Sequence, residues 1–154
     1  MIYLNSILSL RKDNETAEKF VRFAEQALPI TEDVRLHLFT DDALLDRFSP
    51  ADYSLQALLY QTALPGAYNF IIRRRSDVSL KEILAHEMAH LSQYVSGRLQ
   101  MDVLSGRCWW EGKEYGNDVP YNERPWEQEA FKVQERLLKE FRKSKNKCKI
   151  CQTR

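Results

Sequence analysis

Ser79-Leu80-Lys81-Glu82-Ile83-Leu84-Ala85-His86-Glu87-Met88-Ala89-His90 is the stretch around which the rest of the chain organises itself. Ser79 and Glu82 form a capping box, and the apolar residues Leu80, Ile83 and Leu84 follow the start of the helix it opens. Gly97 supplies a C-terminal stop beyond Tyr94 and Val95. The segment between is predicted to be helical, with His86 and His90 near its middle. Residues four apart on a helix are neighbours on one face, so both imidazoles can reach a single ion. Glu87 follows the first imidazole directly and can be aimed at a water on that ion. A chain of this length shows the pattern H-E-x-x-H by chance in well under about 1% of cases. Two of the three histidines fall in it. The bland alternative is a pair of surface histidines on an ordinary helix.

A catalytic zinc site takes three protein ligands and leaves a fourth position for water. No histidine follows His90. The extended pattern H-E-x-x-H-x-x-G-x-x-H fails, because Gln93 stands where Gly is needed and Ser96 where the last ligand belongs. His37 lies far upstream in the alternating run Val34-Arg35-Leu36-His37-Leu38-Phe39 and reads as a plain strand residue. The third ligand is therefore predicted to be a downstream carboxylate, drawn from Asp102, Glu111, Glu114, Asp118, Glu123, Glu127 and Glu129. Among these, Arg124-Pro125-Trp126-Glu127-Gln128-Glu129-Ala130 stands out. Pro125 suits the first turn of a helix, and the amphipathic run Trp126, Ala130, Val133, Leu137, Phe141 continues from it. Glu127 and Glu129 also suit the positive end of a helix dipole, which is the structural reading of both.

H-E-x-x-H followed by a second helix bearing E-x-x-A resembles the gluzincin pattern of zinc metallopeptidases. The resemblance implies Zn²⁺ held by His86, His90 and Glu127, with Glu87 as general base and Ala130 as the small residue that lets the two helices approach. Glu129 is the rival carboxylate, without the E-x-x-A spacing. More weakly, the chain is similar to small SprT-like and minigluzincin metallopeptidases, which place a strand pair before the active-site helix. Leu55 to Thr62 and Ala67 to Arg73 offer that pair, separated by the turn signal Leu64-Pro65-Gly66. The resemblance puts the last strand, Tyr68-Asn69-Phe70-Ile71-Ile72, along the cleft, where an open edge would pair with an extended peptide or protein substrate. The chain departs from the SprT-like pattern in lacking a third histidine there. The implied fold is α+β and zincin-like: a small mixed or antiparallel sheet packed on the active-site helix and on a C-terminal helix carrying the third metal ligand.

The remaining segments fit one domain over 1–143 followed by a basic tail over 144–154. Met1 to Leu10 alternates loosely as a first strand. Asp13 to Leu28 reads as an amphipathic helix ended by Pro29, Val34 to Thr40 as a strand, and Asp41 to Phe48 as a short helix. The long connection from Gly97 to Asn122 carries Trp109, Trp110, Tyr115 and Tyr121. It is either a wall of the substrate cleft or a packed aromatic layer. Tyr115, Tyr121 and Arg124 are candidates to polarise a scissile carbonyl. The tail holds Cys148-Lys149-Ile150-Cys151, and with Cys108 the only other cysteine a four-Cys zinc site cannot close within one chain. The modest reading is two exposed thiols in a reducing compartment.

A net charge of +1 gives no strong attraction to nucleic acid or membrane. Met1-Ile2-Tyr3-Leu4 lacks the basic region and long apolar core of a secretory leader, so the expected location is the cytoplasm, or a particle assembled there. Two other classes fit the same residues. One is a catalytically weak or inactive zinc-binding structural or interaction protein, for example a phage-particle component with a host or phage assembly partner. The other is a zinc hydrolase acting on a non-peptide amide.

Overall fold

Alternating burial sets the first layer of the fold. Val34, Leu36 and Leu38 are buried while Arg35 and His37 between them are exposed, the period of two expected of a strand with one face on a core. The computed structural model describes every residue except Asp52, Val103, Thr153 and Arg154, with side chains described as far as Asn146. The elements run β1 (Ile2–Ile7), α1 (Arg11–Ala27), β2 (Val34–Thr40), α2 (Asp42–Phe48), β3 (Ala57–Gln61), β4 (Ala67–Ile72), α3 (Leu80–Val95), β5 (Leu99–Met101), β6 (Cys108–Trp110), β7 (Lys113–Tyr115), a 3-10 turn (Tyr121–Glu123) and α4 (Pro125–Gln152). This is an α+β chain with a mixed four-stranded sheet in the order β1-β2-β4-β3. β1, β2 and β4 are parallel, and β3 pairs antiparallel to β4.

Helix α1 is the crossover that a parallel β1–β2 pair requires. It begins at Arg11, two residues before the predicted start, without a side-chain cap from Leu10. Asn14, inside the first turn, ties the helix back to the chain leaving β1. Its Oδ1 accepts from the Leu8 N–H at 2.9 Å, and its Nδ2 donates to the carbonyls of Leu8 and Leu10 at 2.9 and 3.1 Å. The β3–β4 hairpin turns at Gly66, whose φ of +69° favours glycine. A Cβ there would also sit 3.2 Å from the Asp33 carbonyl oxygen.

One face of the sheet is covered by α1 and α3, and α4 packs along α3. The core joins Ile2, Leu36 and Phe70 of the sheet to Phe20 of α1, Leu84 and Met88 of α3, and Leu137 and Phe141 of α4. Phe20 is fully buried with its ring 4.9 Å from that of Phe141. Burial of such a side chain stabilises the fold by about 1.5–3 kcal/mol. Asp41 caps α2 by accepting from the Leu44 N–H, and Asp46 ties the helix to Arg73 at 2.8 Å. His37 is exposed on β2, on the face opposite buried Leu36 and Leu38, as a plain strand residue would be.

Three expectations change. β4 is not an edge: it pairs with β2 on one side and β3 on the other. Phe70, Ile71 and Ile72 are buried in succession, the signature of a strand covered on both faces, and the free edge beside α3 belongs to β3. The connection over 97–122 is not an irregular loop but an antiparallel meander in the order β5-β6-β7, followed by the 3-10 turn. Finally, α4 continues as one helix to Gln152, through the position where a tail was expected to begin. Cys148, Cys151, Lys147 and Lys149 lie outside the described side chains. No helix among the described residues is long and apolar enough to cross a membrane.

Candidate metal centre

The capping box at Ser79 is formed on both sides. Ser79 Oγ accepts from the Glu82 N–H, and the Glu82 carboxylate accepts from the Ser79 N–H, each at 3.3 Å. Two orphan donors of the first turn are thereby satisfied. From this start α3 sends Ile83, Leu84, Met88 and Leu91 into the core. Glu87, His90 and Gln93 are buried too, and buried polar side chains require partners. His90 and Gln93 partner each other on α3, and α4 adds Glu127 to the first and Glu129 with the Trp126 carbonyl to the second. Pro125 opens that helix, and Trp126 anchors it in a second apolar cluster with Leu99, Cys108 and Trp110. Ala130, one turn beyond Glu127, is fully buried.

Three donor atoms converge where the helices meet. Glu127 Oε2 lies 3.1 Å from His86 Nε2 and 3.3 Å from His90 Nε2, and the two nitrogens are 3.1 Å apart. Three ligands held 2.0–2.1 Å from a tetrahedral ion are about 3.3 Å from one another, so the triangle fits a metal of that size. It is the one such group among the described residues. Glu129 points elsewhere: its carboxylate accepts from Gln93 Nε2 at 2.9 Å and from both terminal nitrogens of Arg98. Of the other carboxylates considered, Glu111 pairs with Arg98, Glu114 pairs with Arg107, and Asp102 accepts from Ser105 and the Leu104 N–H. Asp118 and Glu123 are exposed and belong to no metal-binding group among the described residues.

Each imidazole has an outer partner with no motif to announce it. His90 Nδ1 lies 2.8 Å from Gln93 Oε1 and His86 Nδ1 3.1 Å from Gln134 Oε1. Both amides present an oxygen, which suits an Nδ1–H donor and leaves Nε2 free to ligate. Gln93 follows His90 by three residues and Gln134 follows Glu127 by seven, so helical spacing alone places each on the relevant face. Of the three residues proposed to polarise a carbonyl, Tyr121 comes nearest, its hydroxyl 3.5 Å from His86 Nε2. Tyr115 packs edge-on against Trp126, and Arg124 donates to the Val119 carbonyl. The aromatic connection thus divides: Trp110 and Tyr115 steady it, while Tyr121 faces the site.

Burial opposes the charge on Glu127, yet the hydrogen bonds and charges of His86 and His90 hold its carboxyl well below the usual range. Burial would push His90 down, but the hydrogen bond and charge of Glu127 outweigh it and raise the imidazole to about 9. Burial pushes the Glu87 carboxyl up against the pull of the two imidazoles. Burial and the Glu127 carboxylate raise the Tyr121 phenol. Without metal, the raised His90 contributes stability that is full below its unfolded value of 6.5 and fades as pH rises through about 9. With metal, protons compete for the same nitrogens, so binding strengthens over that range. The gap in Tm between zinc-loaded and chelated protein is expected to widen from pH 6.5 to 9. Melts showing a constant gap would contradict this site.

Comparison with family models, with curated proteins and with solved structures finds no significant match. Function here rests on the site itself.

Proposed function

We propose that the protein is a zinc-dependent metallopeptidase, gluzincin-like in its ligands and zincin-like in its fold. The observation that carries this reading is the convergence of His86, His90 and Glu127 with a buried carboxylate, Glu87, next to the first ligand on the same helix. Two imidazoles and one carboxylate suit zinc better than magnesium or calcium, which prefer all-oxygen sites. Zinc held there would supply a Lewis acid for the carbonyl and bring the pKa of its water towards about 7.

The chain's own residues do the rest. Glu87 makes no hydrogen bond or ion pair with another described residue, and burial favours its protonated form. A carboxylate in that condition accepts a proton from the attacking water readily and can deliver it to the leaving amine. Tyr121, like any phenol, keeps its proton at neutral pH, and burial beside Glu127 only raises it further, so it is available to donate to the oxygen that gains charge. Arg124 lies over its ring at 5.8 Å and helps to hold it. The free edge of β3 offers main-chain groups to an extended substrate, the role that interior β4 cannot fill.

Tyr121→Phe is expected to lower kcat by about 10²-fold, the cost of losing one oxyanion donor, with zinc content and KM little changed. An unaltered kcat would remove Tyr121 from the mechanism. The function itself is tested by peptide-library cleavage with the zinc-loaded protein: cleavage that stops on chelation and returns with zinc is expected. Fully zinc-loaded protein that cleaves nothing would leave a structural metal instead.

A further inference from the structure

Glu127 and Glu129, two residues apart at the start of α4, serve one imidazole from opposite ends. We propose that Gln93, locked in place by Glu129, is the positioning residue that fixes which nitrogen His90 presents to the metal. This rests on reading His86, His90 and Glu127 as a metal site and not on peptide hydrolysis.

The hydrogen bonds allow one arrangement. Gln93 is 2% exposed, and its Nε2 lies 3.0 Å from the Trp126 carbonyl and 2.9 Å from Glu129 Oε2. The Trp126 carbonyl has no proton to give and the Glu129 carboxylate is ion-paired to Arg98, so the amide nitrogen must face them and the amide oxygen must face His90. That oxygen, 2.8 Å from His90 Nδ1, likewise only accepts, so Nδ1 must carry the proton. In a neutral imidazole the lone pair is then on Nε2, which faces Glu127 and His86. Two acceptors settle the amide, and the amide settles the tautomer.

Glu129 is itself held from outside. Arg98 grips it with two nitrogens at 3.1 and 2.9 Å and donates to Glu111 at 2.8 Å, while the Glu111 N–H donates to the Arg98 carbonyl at 2.7 Å. A chain of contacts therefore runs from the turn between β6 and β7 through Arg98, Glu129 and Gln93 to His90. His86 has no such lock, because Gln134 makes no further hydrogen bond among the described residues. His90 is the fixed ligand and His86 the adjustable one.

The test measures zinc affinity by chelator competition and the His90 tautomer by long-range ¹H–¹⁵N spectra. The zinc-loaded parent is expected to show His90 protonated at Nδ1 and bound through Nε2; the opposite pattern overturns the proposal without any variant. Gln93→Leu is expected to bind zinc 10–100-fold more weakly, the usual cost of losing an outer partner. Gln93→Glu should also weaken it, by setting a carboxylate against Glu129 and the Trp126 carbonyl. Adding Glu129→Gln to Gln93→Glu restores a donor opposite the new carboxylate and should recover about tenfold. Parent-like affinity in Gln93→Leu, or no recovery in the double variant, overturns the relay even if peptides are cleaved. Conversely, a relay that behaves as described in a protein that cleaves nothing leaves this inference standing and removes the peptidase.

Discussion

Glu127→Ala is expected to strip zinc from the protein, while Glu129→Ala leaves it loaded under the same conditions. The two carboxylates differ in what they touch. Glu127 Oε2 completes the donor triangle at 3.1 and 3.3 Å from the imidazole nitrogens, so its loss leaves two ligands on an ion that needs at least three. Glu129 would act on a bound metal only through Gln93 and His90. Its removal should cost the 10–100-fold typical of an outer partner, and removal of Glu127 should cost well beyond about 100-fold. Chelator competition on both variants checks the order. Circular dichroism of the metal-free forms shows whether each has folded, since Glu127 is also the buried counter-charge of His90. A larger loss at Glu129 would exchange the roles of the two residues, and equal losses would contradict the distinction between them.

Glu87→Gln is expected to keep zinc and lose hydrolysis. The amide has nearly the same shape, and Glu87 Oε atoms belong to no part of the donor triangle, so metal affinity should change by less than a few-fold. An amide cannot take the proton of the attacking water, and positioned general bases contribute about 10²–10⁴-fold. We therefore expect kcat to fall by about 10³-fold with KM nearly unchanged. A variant that cleaves as fast as the parent would assign proton transfer to another group. One that loses zinc would make Glu87 part of the metal's support rather than its base.

Much of this site is legible because its signals are local. The cap at Ser79, the stop at Gly97 and the four-residue interval between His86 and His90 depend only on neighbours along the chain. β2 has the predicted bounds, Val34–Thr40, and its alternation is regular from Val34 to Leu38. What depends on distant pairing is not legible in the same way. The order β1-β2-β4-β3 puts β4 inside the sheet, and only the run Phe70-Ile71-Ile72 hints at it. Strands β5, β6 and β7 are three residues each, too short for a period to show, and the β6–β7 turn is made by Glu111 at φ +50° and Gly112 at φ +83°. Glu127 and Glu129 are roughly 200° apart around a helix, so the packing of α4 on α3 decides which one meets the imidazoles. For Gln93 and Gln134 the spacing gives only the helix face: an amide becomes an outer partner by what the fold sets beside it.

X-ray absorption at the zinc edge of the purified, zinc-loaded protein reads the ligand set itself. One zinc per chain is expected, with nitrogen and oxygen neighbours only, at about 2.0–2.1 Å, including scattering from two imidazoles. A first shell containing sulfur at about 2.3 Å would place the metal on cysteines instead. That result, or a protein that stays metal-free in the presence of excess zinc, would contradict a centre built from His86, His90 and Glu127.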